Sequence, residues 1–155
     1  MDKLNSFEIL PAEEYGIVLM LYQTGKSLGC KVVFKKRTLK NQPKGYRVIF
    51  NKQKNNKALF WMEMSENTLL VKANLLHIDD YAEKISSCSN KIKKSITATK
   101  ECVNCHPHCG SLHLSYHIDN VKYTPCYFNG HYFSQMDKED WIVLRDLLVL
   151  ENNTV

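Results

Sequence analysis

The sequence predicts a single α+β domain: an antiparallel β-meander sheet with flanking helices, closed by a cysteine-rich hairpin and a last helix. Three observations carry this reading. Strand-like runs follow one another from Cys30 to Ala73 with only short polar connections, which suits antiparallel neighbours and leaves no room for βαβ crossovers. Apolar stripes at helical spacing stand near both ends, around Val18–Tyr22 and Trp141–Leu148. Cysteines cluster between Cys102 and Cys126 in a chain of 155 residues. A chain of that size buries a sufficient core without staples, so the cluster asks for a local reason.

In chain order, Phe7–Leu10 reads as an edge strand within a short lead-in. Pro11 suits a first helical turn, and Glu13 and Glu14 sit where the helix dipole favours negative charge. Tyr15, Val18, Leu21 and Tyr22 share a face, with Leu28 extending it and Gly25 or Gly29 as the stop. Cys30–Lys36 follows as a strand centred on Val32-Val33-Phe34. After the turn cluster Asn41–Gly45, Tyr46, Val48 and Phe50 alternate onto one face. The polar loop Asn51–Lys57 leads to the strand Ala58–Met64, and Glu66-Asn67 turns the chain into Thr68–Ala73.

Ile78–Ile85 reads as a second helix with Ile78, Tyr81, Ala82 and Ile85 inward. Residues 86–100 either extend it through Ile92 and Ile96 or form a linker. Leu112–Ile118 and Val121–Tyr127 flank Asp119-Asn120, a two-residue hairpin turn. Asn129-Gly130 turns between Tyr127-Phe128 and Tyr132-Phe133. Asp137 is placed to cap a final helix with Trp141, Leu144, Leu147 and Leu148 as its apolar face and Glu151–Val155 as a polar tail. The whole chain, 1–155, is one domain, with 101–134 as a cysteine-rich hairpin lobe on a sheet of four to six strands.

The cysteine cluster has the spacing C-x2-C-x3-C-x16-C over Cys102, Cys105, Cys109 and Cys126. Thiolates two residues apart form a knuckle that holds two corners of a tetrahedron, and the hairpin returns Cys126 toward the others. The expected occupant is a structural Zn²⁺ on these four cysteines, with His106 and His108 (and more remotely His113) as substitute ligands. Zinc is preferred to an iron–sulfur cluster. Cys102-Val103-Asn104-Cys105-His106 also matches the c-type haem motif, but haem attachment normally needs export and leaves Cys109 and Cys126 unexplained. A thioredoxin-like site would want a helix after the first cysteine, where His106-Pro107-His108 stands instead.

The start of the chain, MDKLNSFEILPAEEYG, carries acidic residues where a secretory signal has a basic and then an apolar stretch. A cytoplasmic location is therefore expected, where clustered cysteines favour metal binding over disulfides. Ile17–Tyr22 is far too short to span a bilayer, so no membrane role is expected. The formal charge is +5, and Lys31–Lys57 holds ten Lys or Arg and no acid, a footprint suited to nucleic acid. Lys outnumbers Arg eighteen to three, however, whereas base reading and phosphate clamping favour Arg. No phosphate-binding glycine loop is present, and Asp79-Asp80 reads as a solvated first turn. Tyr46, Phe60, Trp61, Tyr116, Tyr123, Tyr127, Tyr132 and Trp141 read chiefly as core, with some tyrosines free to ring a cleft above the sheet.

The segment ECVNCHPHCG, then Leu114–Tyr123, Cys126, an aromatic patch and a closing helix resembles a group of small uncharacterised bacterial α+β proteins. Those end in a C-x2-C-x3-C…C segment after a β-hairpin. The resemblance covers mainly residues 101–150 and implies a fold and a metal site but no reaction. Together these readings point to a binding or interaction protein with a structural zinc site, its partner a protein or a small molecule. The alternatives are a nucleic-acid-associated protein using residues 31–57 and a small thiol- or metal-dependent enzyme.

Overall fold

The computed structural model describes residues 10–37, 45–65, 68–99, 115–126 and 129–154. Helix α1 (Ala12–Ser27) buries Val18 and Leu21 of the expected stripe together with Ile17, while Tyr15 and Tyr22 are partly buried against the core. It stops in a Schellman motif: Gly29 takes φ 76°, its N–H bonds to Lys26 O, and Cys30 N–H bonds to Gly25 O at 3.0 Å. Gly29 is thus the stop, and Gly25 has a different task. It lies inside the helix, where any Cβ would collide with the Phe50 ring, so its lack of a side chain lets helix and sheet meet.

Strands β1 (Lys31–Arg37), β2 (Gly45–Asn51), β3 (Ala58–Ser65) and β4 (Thr68–Ala73) form the expected antiparallel meander. The fifth strand, β7 (His131–Ser134), adds to the β4 edge through pairs such as Val71↔Phe133. Period-two alternation sends Val48, Phe50, Phe60, Met62, Val71 and Phe133 to one face, all fully buried. Phe50 and Phe60, direct cross-strand partners, stack with centroids 4.3 Å apart. The last helix, α4 (Lys138–Asn153), lays Trp141, Leu144, Leu147 and Leu148 on this face beside α1. Asp137 holds the N-cap position, but its side chain makes no capping bond.

Between β4 and β7 the chain builds a second layer. The helix expected over 78–85 is instead a 3-10 turn (Ile78–Tyr81) followed by the short helix α2 (Ala82–Ser86). The tighter turn lets His77 and Tyr81 meet one carboxylate, as shown below. The described part of 86–100 neither extends that helix nor forms a plain linker, because Ser89 caps a separate helix, α3 (Asn90–Thr97), by accepting from Ile92 N–H at 3.3 Å. Ile92 and Ile96 are fully buried. A two-stranded hairpin of β5 (Tyr116–Ile118) and β6 (Val121–Tyr123) follows, turning through Asp119 (φ 50°) and Asn120 (φ 68°), both left-handed as a type I′ turn requires. No helix among the described residues is long and apolar enough to cross a membrane.

Candidate functional site

Of the expected metal ligands, Cys102, Cys105 and Cys109, with His106, His108 and His113, lie outside the described residues. Cys126 is half-buried and lines a small crevice with Asn74, Leu75, Thr99, Pro125 and His131. Among the described residues no group of three or more His, Cys, Asp or Glu side chains is arranged to hold a metal. His131 is no free ligand. It is 2% exposed, its Nδ1 lies 2.8 Å from Thr99 Oγ1, and Nε2 lies 3.4 Å from the Leu75 carbonyl. Burial pushes its pKa down to about 4, against weaker upward pulls from backbone hydrogen bonds and Glu151, so the ring is neutral at pH 7.

Glu151, at the start of the expected polar tail, does not belong to one. Glu151 is still helical and fully buried. Its carboxylate accepts from His77 N–H at 3.0 Å, His77 Nδ1 at 2.8 Å and the Tyr81 hydroxyl at 2.8 Å, with Lys52 Nζ 3.9 Å away. Burial and the adjoining carboxylate push the Tyr81 hydroxyl far above its ordinary value, which leaves it a committed donor. At the other end of the same helix Asp140 accepts from Ser89 Oγ at 2.8 Å. These are internal ties, and both oxygens of Glu151 are in use. Asp79, expected in a solvated turn, also has a partner: it accepts from His117 N–H at 2.8 Å and so moors the hairpin.

The feature with room for a guest lies elsewhere, between the first turns of α1 and α4 and the facing ends of β4 and β7. It is a cleft of about 820 Å³ whose apolar wall is built by Ile17, Met20, Leu69, Met136, Trp141 and Ile142. Glu13, Glu14, Gln135 and Lys138 supply its polar groups. Trp141, one of the aromatics expected in the core, is 4% exposed and lines the cleft. Sequence reasoning passed over this place because its residues come from distant segments with no shared motif. Gln135 at φ 52° is a left-handed residue without being glycine, and its carbonyl is held by Lys91 Nζ at 2.6 Å.

Two further features bear on the alternatives. The face of the sheet opposite the helices carries a row across all five strands, Val33–Ile49–Trp61–Lys72–Tyr132, with Lys35 and Arg47 paired beside it. Arg47 lies over the Trp61 ring at 4.0 Å and donates to Glu63 at 2.8 Å. Among the described residues the basic stretch is divided, since Lys52 turns away to Glu151 and Lys36 pairs with Tyr46 on the helix side. As for thiol chemistry, burial raises the pKa of both Cys30 and Cys88, the reverse of what activates a nucleophile.

No protein-family model, curated protein or solved structure matches this chain.

Proposed function

We propose that this protein is a ligand-binding module, taking a small molecule in the α1/α4 cleft, with Cys102, Cys105, Cys109 and Cys126 holding a structural zinc ion. The cleft carries the reading. Its volume of about 820 Å³ falls in the range of small-molecule sites, roughly 300–1,000 Å³, and its wall is apolar with a few converging polar groups. A binding role also agrees with burial suppressing the Cys30 and Cys88 thiols. Screening the purified protein against a fragment collection by NMR tests the reading. Binders should shift Trp141, Met20 and Met136 signals; a screen whose shifts fall elsewhere ends it.

The zinc component is supported by one juxtaposition. Thr99 and Cys126 share a crevice, and Cys102 follows Thr99 by three residues, a span of about 10 Å when extended. Metal analysis should return one zinc per chain, lost in Cys126→Ser or after chelation, with a fall in melting temperature. Metal-free protein with freely titrating thiols would remove this component and leave the cleft untouched.

A second reading has its own observation. The outward row with Trp61 and Tyr132, the latter 47% exposed, flanked by Lys35 and Arg47, is an aromatic and cationic surface suited to a single strand of nucleic acid. Binding of a fluorescent oligonucleotide should weaken steeply with salt and with Tyr132→Ala; salt-independent or absent binding rejects it.

A further inference from the structure

We propose that His77 is a phosphoryl-acceptor histidine: its Nε2 takes a phosphoryl group from an N–P donor of the phosphoramidate class, with Glu151 and Lys52 as supporting charges. The inference is independent of the cleft and of the zinc ion. Distant segments converge to build the place. His77 stands just before the 3-10 turn Ile78–Tyr81, Lys52 just after β2, and Glu151 near the end of α4.

Glu151 grips His77 at two points, the backbone N–H at 3.0 Å and the ring Nδ1 at 2.8 Å. An ionised carboxylate only accepts, so the shared proton belongs to Nδ1 and the Nε2 lone pair faces away from the acid. The ring spans interior and surface: its side chain is 36% exposed, while that of Glu151 is fully buried. Among the described residues Nε2 has no hydrogen-bond partner. The other two described histidines are differently placed. His131 is 2% exposed and has a neighbour at each ring nitrogen. His117 is more open, at 57%, but its Nδ1 lies 3.4 Å from Asp79, a carboxylate that is itself half exposed. Of the three, His77 alone joins a short bond to a buried acid with an open nitrogen.

That arrangement prepares an imidazole as a nucleophile, because the buried acid fixes the tautomer and stabilises the imidazolium that forms. Lys52 selects the electrophile. Its Nζ lies 3.9 Å from Oε1, the oxygen that also holds Nδ1. That separation is too long for a hydrogen bond, so an ammonium with donors to spare stands beside the ring and suits anionic oxygens. A metal cation at Nε2 would instead meet Lys52 as a like charge. In the transfer, the Nε2 lone pair forms a bond to phosphorus as the P–N bond of the donor breaks. The donor's protonated nitrogen leaves with that electron pair as ammonia, and Nδ1 keeps its proton against Glu151.

Phosphoramidate itself is the probe, with phosphorus and nitrogen-correlated NMR locating the new N–P bond. In the unmutated protein His77 should be phosphorylated at Nε2 about tenfold or more faster than His117, although His117 is the more exposed. Lys52→Met should slow His77 and leave His117 unchanged; an unchanged rate at His77 overturns the part given to Lys52. Labelling that follows exposure, with His117 as fast as His77 or faster, overturns the proposal. So does phosphate on Nδ1 of His77, or none on that residue at all. The comparison of two histidines within one intact chain needs no substitution, so it decides the matter even where Lys52→Met fails to fold.

Discussion

Replacing His131 by Phe removes a buried titrating group and should flatten the acid limb of the stability curve. In the folded protein His131 has its pKa lowered from 6.5 to about 4, chiefly by burial. Above pH 6.5 it is neutral in both folded and unfolded chains and favours neither. Between pH 6.5 and about 4 the unfolded chain takes up a proton that the folded one refuses. Stability is therefore present above the unfolded pKa and is lost as pH falls toward the folded one, at up to ~1.4 kcal/mol per pH unit. Across the gap from 6.5 to about 4 the loss amounts to about 3 kcal/mol. That is a large share of the ~5–15 kcal/mol that holds a domain together. The substitution itself should cost about 1 kcal/mol at pH 7: Thr99 keeps its bond to Gly130 O at 2.9 Å, and the Leu75 contact, at 3.4 Å, is long. Urea unfolding at half-unit steps from pH 7.5 to 4 gives both curves, and carboxylates common to the two cancel in the difference. The variant should lose less stability on acidification than the parent. Parallel curves would refute the assignment of a neutral, buried imidazole.

Two other substitutions test the internal ties and the helix–sheet contact. Glu151→Ala strands the Tyr81 hydroxyl and the His77 N–H in a fully buried place, and should lower unfolding free energy by about 3–5 kcal/mol in chemical denaturation. A loss below ~1 kcal/mol would mean that water replaces the carboxylate there. The pair Gly25→Ala and Gly16→Ala should have opposite signs by thermal melting, although both lie inside α1. The first drives a methyl into Phe50 and should cost about 1–3 kcal/mol, whereas the second meets nothing within 4 Å and should gain about 0.5–1 kcal/mol from helix propensity.

Local chemistry made most of the fold legible in the sequence. The alternation of Tyr46, Val48 and Phe50, the short turns between runs and the Asp119-Asn120 pair are signals within a few residues of one another. The alternation is strand β2, and the Asp119-Asn120 pair is the turn between β5 and β6. The separate α3 was hidden because residues 86–97 mix Ser and Lys with only two strong apolar positions, Ile92 and Ile96. Its start depends on Ser89, whose dual contact to Ile92 N–H and Asp140 exists only once α4 has docked. Glu151 escaped notice for a related reason. An acid near the end of a helix reads as solvated, and nothing local reveals that Lys52, His77 and Tyr81, all at least 70 positions away, converge on it. The cleft is the extreme case, since its wall joins residues 12–20, 68–70 and 134–142 through packing alone.

The two buried acids of α4 also explain how the hairpin lobe is held. Asp140 and Glu151 stand eleven residues apart on the helix, about 16 Å along its axis. Their partners, Ser89 at one end and His77 with Tyr81 at the other, fix the segment that carries α2 and leads into α3, which Ser89 caps. That segment in turn moors the hairpin. The Tyr116 hydroxyl donates to Ile96 O at 2.9 Å, His117 N–H to Asp79 at 2.8 Å, and Lys93 to Asp119 at 2.9 Å. Tyr116 and Ile118 add apolar anchorage, being 1% and 4% exposed. The hairpin therefore has a route to the core that passes through no cysteine. A zinc ion on Cys126 and its proposed companions would fix the segment entering the hairpin, not the hairpin's seat on the body. Metal loss should accordingly loosen the lobe from its Cys126 end while the Tyr116 and Ile118 amides stay protected from exchange.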